Sequence, residues 1–286
     1  MHRSMSHGRN QPIISLKRIL SSSVRRSYAV PLYDDSILFG IKGAINVLDE
    51  LWPGGPAFVS GSGAFKLGTD SVMLADFAKD IRAELACDIG CGAGIIGILL
   101  AHKNISLSVD CVDIQENACA LAIENVRING LEDRLRIICG DIRLHRGLLK
   151  AGAYDLVLSN PPYYALGRGK MPSDTGMLLA RSEEACSIED VCEAARYLTR
   201  WGGSFALVHK PERLAEVIAS LVKNGLEPKR LRFVHNRPES APSLFMIEAR
   251  RGGKPSLKIE PPLILTDTDG GESDEILRIY NKSKER

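Results

Sequence analysis

The chain has 286 residues, 44% hydrophobic and 25% charged, with a net charge of only +2; this is the composition of an ordinary globular protein, long enough to bury a full core in one domain. Its longest apolar runs, such as 95–101, are far too short to span a bilayer, and so small a net charge gives the whole molecule little pull on nucleic acid. The seven cysteines are odd in number and include no CxxC pair, which argues against a disulfide framework or a metal site and for free thiols in a reducing cytoplasm.

Residues 1–33 contain no acidic side chain, whereas Arg3, Arg9, Lys17, Arg18, Arg25 and Arg26 are basic and serines are frequent. Such a segment reads as a disordered arm, with an RNA-binding tail, a transit-type segment or residues ahead of a downstream start as alternatives. No continuous apolar stretch makes it a secretory signal. Residues 34–286 read as a single domain. From Leu85 onward short strands alternate with helices, the pattern of a parallel α/β sheet. Strands are expected at 85–89, 107–113, 135–139, 154–159, 203–208, 230–235 and 243–249. One helix runs from near Gln115 to Asn129 and stops at Gly130. Ser187-Ile-Glu-Asp190 is a capping box that opens a helix to about Thr199. Pro211 suits the first turn of another, which ends before Gly225. The loop between the last two strands has no room for a crossover helix, so that pair is expected to be antiparallel.

Cys87-Asp-Ile-Gly-Cys-Gly-Ala-Gly94 closes the first of these strands and opens a helix near Ile95. Its glycines let the backbone turn sharply and pass close to a ligand. The overlapping Gly92-Ala-Gly-Ile-Ile-Gly97 also satisfies GxGxxG, so a nicotinamide enzyme comes into question. Asp88 argues against it, because a carboxylate beside the glycines repels pyrophosphate and favours an amino group or a cation. Asp113 ends the second strand and Asp141 follows the third; a carboxylate at the first position can accept from ribose hydroxyls, and one at the second from the exocyclic amine of a purine. Either aspartate alone also fits a turn or a helix cap.

Asn160-Pro161-Pro162-Tyr163 follows the apolar run 154–159. An asparagine side-chain oxygen and the Pro161 carbonyl, stiffened by two adjacent rings, offer two acceptors to a planar –NH₂ group. Tyr163 can stack on whatever carries that amine, a contact worth about 1–3 kcal/mol for a nucleobase.

Together these motifs resemble the class I S-adenosylmethionine-dependent methyltransferases that act on amino groups. The resemblance implies a Rossmann-like, doubly wound sheet of seven strands in the order 3-2-1-4-5-7-6, mostly parallel with strand 7 antiparallel. It also implies S-adenosyl-L-methionine as cofactor, held by Asp88, Gly90, Gly92 and Gly94 of the glycine loop. Asp113 with Ile114 would meet the ribose, Asp141 with Ile142 the adenine, and Asn160 the methyl end. The stretch 65–75, with Lys66 and Thr69, looks like the segment that closes over the cofactor's methionine end in that branch. Asn160, Pro161, Pro162 and Tyr163 would be the catalytic turn. Within the branch, the stretches 207–215 and 225–235 are similar to the bacterial valine-tRNA adenine-37 N6-methyltransferases, which implies tRNA as partner and the adenine N6 as acceptor. Ribosomal guanine, DNA adenine and a protein glutamine amide present the same planar nitrogen and stay as alternatives. A monomer or weak dimer is expected, with no membrane and no metal. Lys210, Arg213, Lys229, Arg230, Arg232, Arg237, Arg250 and Arg251 cluster in the C-terminal half, and two further cations lie in 167–172. Alternation within 229–233 puts several of them on one strand face, either as phosphate contacts or as a solvated face.

Overall fold

The computed structural model of the protein describes residues 47–60, 68–162 and 186–283. The expected arm at 1–33 and the cationic segment at 167–172 lie outside them. A central sheet carries β3 (Leu85–Ile89), β4 (Ser108–Asp113), β5 (Leu135–Cys139), β6 (Tyr154–Ser159), β7 (Thr199–His209), β8 (Leu226–His235) and β9 (Pro242–Arg251). Their order is β5-β4-β3-β6-β7-β9-β8, parallel throughout except that β9 runs antiparallel to β7 and β8. This is the 3-2-1-4-5-7-6 arrangement. Among the described residues the sheet nevertheless has nine strands, not seven, because β10 (Lys258–Ile259) and β11 (Leu263–Ile264) pair parallel with the outer side of β8. Each is two residues long, too short for an alternating pattern to register.

The strands are buried on both faces, as parallel sheets require. Ala86, Leu156, Leu158, Ala206 and Val208 point to one side, and Cys87, Ile89, Val157, Phe205 and Leu207 to the other. The first side is covered by α1 (Thr69–Ala78), α2 (Ile95–Lys103) and α3 (Glu116–Ile128), the second by α5 (Ile188–Leu198) and α6 (Leu214–Lys223). A short α4 (His145–Leu148) precedes β6. Helix ends fall where the sequence marks them. Gly130 follows α3 at φ +62°, and Ser187 with Asp190 forms the capping box of α5. Pro211 opens a short 3₁₀ turn that runs on into α6. None of the described helices is long and apolar enough to cross a membrane.

β8 starts at Leu226, directly after Gly225, ahead of the expected 230; two further departures from the expected strands have local causes. β7 starts at Thr199, directly after α5, ahead of the expected 203. Its register against β6 shifts between Tyr154 and Leu156, and a Cβ on Gly203 would stand 2.9 Å from the Asp155 carbonyl oxygen. The glycines that hid this stretch are what lets it cross the bulge. A hairpin of β1 (Val47–Glu50) and β2 (Ala57–Ser60) was not expected. It is held by α3: Asn129 accepts from the Ala57 amide at 3.0 Å and donates to the Ala57 carbonyl at 2.7 Å.

The C-terminal α7 (Asp274–Ile279) buries Ile276 and Ile279 in the first-face core. Arg278 reaches Asp76 of α1 at 3.4 Å, where Lys79 and Lys103 also converge at 2.8 and 3.2 Å. Tyr280, just beyond α7, packs against the same core.

Candidate active site

The carboxyl ends of β3, β4, β5 and β6 form one edge. Ile89 pairs with Val112 on one side and Ser159 on the other, and Asp113 pairs with Cys139. The Ser159 hydroxyl donates to the Ile89 carbonyl at 2.9 Å, so β3 and β6 end locked together. The chain then turns through the glycine loop, in which Gly90, Gly92 and Gly94 all have φ between +54° and +77°. A side chain would strain each of these. The Gly90 and Cys91 amides both donate to the Val112 carbonyl, at 2.8 and 3.0 Å. Gly97 allows a close approach in the first turn of α2, since a Cβ there would meet Cys111 Sγ at 2.8 Å.

Asp113 is 6% exposed and ties this loop to its own strand. Its two carboxylate oxygens accept from the Gly92 amide at 2.8 Å and the Gln115 amide at 2.9 Å. Burial raises its pKa, with the Gln115, Gly92 and Ile114 amides pulling against the rise. Each oxygen keeps a further lone pair for a ligand hydroxyl. Ile114 beside it is 46% exposed, an apolar side chain open at the edge. Ile142, by contrast, is buried in the second-face core.

Asp141 behaves first as a cap. It accepts from the Arg143 amide at 2.9 Å and pairs with the Arg143 guanidinium at 2.6 Å. That hydrogen bond holds its carboxyl below the usual aspartate range. Any purine amine at Asp141 would share it with Arg143, which the sequence reading did not foresee.

Asp88 has no such support. It is fully buried, and neither carboxylate oxygen reaches a hydrogen-bond partner among the described residues. Burial, then the charge on Asp113, push its pKa up to about 7 against a weaker pull from the Gly97 amide. Strand alternation turns Asp88 to the face covered by α1 and α2. A buried, unpartnered carboxylate calls for a cationic or N–H-bearing ligand group. The amino end of S-adenosylmethionine is such a group, so the residues present fit that cofactor.

Asn160 follows Ser159 and lies on the same face of the sheet as Asp88. Because Asp88 pairs with Leu158, the two side chains are on adjacent strands and two residues apart along them, roughly 7 Å. Asn160 Nδ2 donates to Ser71 Oγ on α1 at 3.0 Å. Pro161 is buried and Pro162 exposed. Thr69 is exposed at the start of α1; Lys66 and Tyr163 lie outside the described residues. Sequence reasoning missed two contributors. Ser71 is one. The other is Asn125, fully buried on α3, which accepts from the Val59 amide and donates to the Ala93 carbonyl, both at 2.9 Å. It thereby joins the hairpin to the glycine loop. An asparagine inside α3, where asparagine is a poor helix former, was the available signal.

The basic C-terminal cluster is largely committed within the fold. Arg230 pairs with Glu248, directly across on β9, and with Glu260 at 3.5 Å; it donates to the Phe77 carbonyl at 2.9 Å and lies 4.2 Å over the Phe77 ring. Arg232 grips Glu275 of α7 at 2.7 and 3.0 Å and donates to the Pro261 carbonyl at 2.9 Å, bridging the break between β10 and β11. Lys229 bonds the Lys254 carbonyl, Arg250 that of Gly202 and Arg251 that of Thr199. Arg213 pairs with Glu216, and Lys210 donates to the Ser243 carbonyl. The alternation was real, but the face it defines meets carboxylates from β9 and α7. Arg237, on the turn between β8 and β9, is exposed.

Comparison with known proteins agrees with this geometry. The Methyltransferase small domain family matches residues 61–224. A tRNA1(Val) (adenine(37)-N6)-methyltransferase of Tolumonas auensis is 31% identical over 220 residues, covering 77% of this chain and 90% of the relative. A relative of the same name from Parabacteroides distasonis is 31% identical over 185 residues, covering 65% of this chain and 76% of its own length. Among solved structures, a predicted O-methyltransferase from Agrobacterium tumefaciens superposes with a TM-score of 0.59 at 21% identity, covering 74% of this chain and 96% of that one.

Proposed function

The chain belongs to the methyltransferase small domain family, and from that premise we propose that it methylates the exocyclic N6 of adenine in tRNA, adenine 37 of a valine tRNA being the acceptor that its relatives' names indicate. S-adenosylmethionine, when bound, supplies a methyl group on a sulfonium, activated for in-line transfer to a nitrogen lone pair. Asp88 receives the cofactor's amino group, the glycine loop lets its backbone come close, and Asp113 accepts from the ribose hydroxyls while holding Gly92 in place. Ile114 gives the adenine an apolar surface, and Asp141 takes its amine in competition with Arg143.

Asn160 acts on the acceptor. An adenine amine is a poor nucleophile because its lone pair is delocalised into the ring. An oxygen accepting one N–H favours the pyramidal nitrogen and stabilises the positive charge that develops there. The Pro161 carbonyl is the second acceptor and Tyr163 the stacking surface. No strong base is required, since the methylated amine sheds its proton to solvent. An anticodon loop presents bases that are already partly unstacked, which lowers the cost of bringing one to the edge. Residues 34–286 are read as the methyltransferase domain, with 1–33 as an arm ahead of it, working in the cytoplasm.

The observation that carries this reading is that Asp88, which has no hydrogen-bond partner among the described residues, lies on one face of adjacent strands with Asn160. Nucleoside mass spectrometry of unmodified tRNA incubated with the purified protein and S-adenosylmethionine tests it. N6-methyladenosine mapped to position 37 is the expected product. A methylated guanine, or methyl transfer to DNA or a glutamine amide in place of tRNA, would overturn it.

A further inference from the structure

We propose that Ser71 is a positioning residue for Asn160, bracing the tip of the side-chain amide that meets the acceptor amine. This rests on the methyl-transfer reading above. The oxygen and nitrogen of an asparagine amide are alike in shape and opposite in function. An amine N–H meets an acceptor in Oδ1 and a repelling donor in Nδ2. In this chain Nδ2 is committed to Ser71 Oγ at 3.0 Å, so the Oδ1 branch is the one turned away from α1. A side chain with two rotatable bonds is thus fixed at its tip as well as its root.

The support behind Ser71 is rigid. The hydroxyl stands in the first turn of α1, where the Ser71 amide bonds the Gly68 carbonyl at 3.1 Å. Every residue from Val72 to Ala78 is buried. Asp76 draws in cations from α1, α2 and α7. Asn160 is equally constrained at its backbone, since the preceding Ser159 is hydrogen-bonded to the end of β3. Two independently braced elements therefore meet through this hydrogen bond at the reacting end of the crevice. Such bracing is what holds a catalytic group within the narrow tolerance of a productive geometry.

The test compares Ser71→Ala, which removes the hydroxyl, with Ser71→Thr, which keeps it. Ser71→Ala is expected to lower kcat about 3- to 10-fold, the effect of one neutral hydrogen bond. The donor's Kd should stay unchanged, and Ser71→Thr should recover most of the rate. In an Asn160→Ala background, Ser71→Ala should cost nothing more, because the group it positions has gone. Wild-type kcat in Ser71→Ala, or an equal loss on both backgrounds, would overturn the proposal. A second readout does not depend on turnover. The Asn160 side-chain NH₂ signal, assigned by its disappearance in Asn160→Asp, should be shifted and slow to exchange in the wild type and lose that protection in Ser71→Ala. An unaltered signal would overturn the role of Ser71 even in a protein that proved silent on tRNA, whereas silence with an altered signal would count against the functional reading alone.

Discussion

Replacing Asp88 by asparagine keeps the shape of the side chain and deletes a charge for which the described residues supply no hydrogen-bond partner. In the folded, ligand-free protein this carboxyl has a pKa of about 7, against 3.8 for an ordinary aspartate. Between those values the folded state holds a proton that the unfolded chain has released. Stability therefore falls as pH rises from about 4 to about 7 and is level above. The whole interval corresponds to on the order of 4 kcal/mol. The variant has no such proton, so its stability relative to wild type should rise by about that amount between pH 4 and pH 8. Urea denaturation of both ligand-free proteins across this range measures the difference. Donor binding should respond in the opposite sense. A cationic amino group beside Asp88 requires the ionised form, so wild-type affinity should fall below pH 7, approaching tenfold per pH unit. The variant should bind weakly and without that dependence. Parallel stability–pH profiles, together with unchanged donor affinity in Asp88→Asn, would refute the assignment of Asp88 as the uncompensated partner of the cofactor.

Asn160→Ala should leave donor affinity near wild type and reduce turnover at least about 5- to 150-fold, if the lost acceptor is worth about 1–3 kcal/mol; single-turnover assays separate the two. Asn125→Ala leaves the buried Val59 amide and Ala93 carbonyl without partners and should destabilise the protein by about 2–4 kcal/mol, read by denaturation, with weaker donor binding as the glycine loop loosens. Arg232→Ala should lower the melting temperature while leaving the salt dependence of tRNA binding unchanged, because its contacts are internal. Arg237→Ala should do the reverse, reducing the salt slope by about 1 with little change in melting temperature. If Arg232→Ala altered the slope instead, the ion pair with Glu275 would not be its principal partner on the RNA-bound protein.

The sheet was legible because its strands are continuous apolar runs separated by glycine, proline and capping signals, and those signals are local. Asp88, Asp113 and Asn160 were legible for the same reason, each falling next to the end of a recognisable strand. The hairpin β1–β2 was not read, although Pro53-Gly-Gly-Pro56 is a turn signal between its strands; it has only one short pair of strands and depends on asparagines of α3 for support. Ser71 could not be found locally, since its value depends on the end of β6 arriving beside α1. The arginines of β8 were misjudged because alternation shows which side chains share a face but not what faces them. Glu248 faces Arg230 across the hairpin on β9, and Glu275 comes from α7, further along the chain. Asp141 showed the same limit at shorter range, where Arg143 two residues on claims the carboxylate first.

The ion pair from Arg278 to Asp76 and the packing of Ile276 and Ile279 into the core they share with α1 bind the C-terminal helix to the one that grips the acceptor turn. The polypeptide's tail is thus a remote brace for its chemistry: a premature stop ahead of Asp274 would spare every residue in the crevice and still slacken the grip on Asn160.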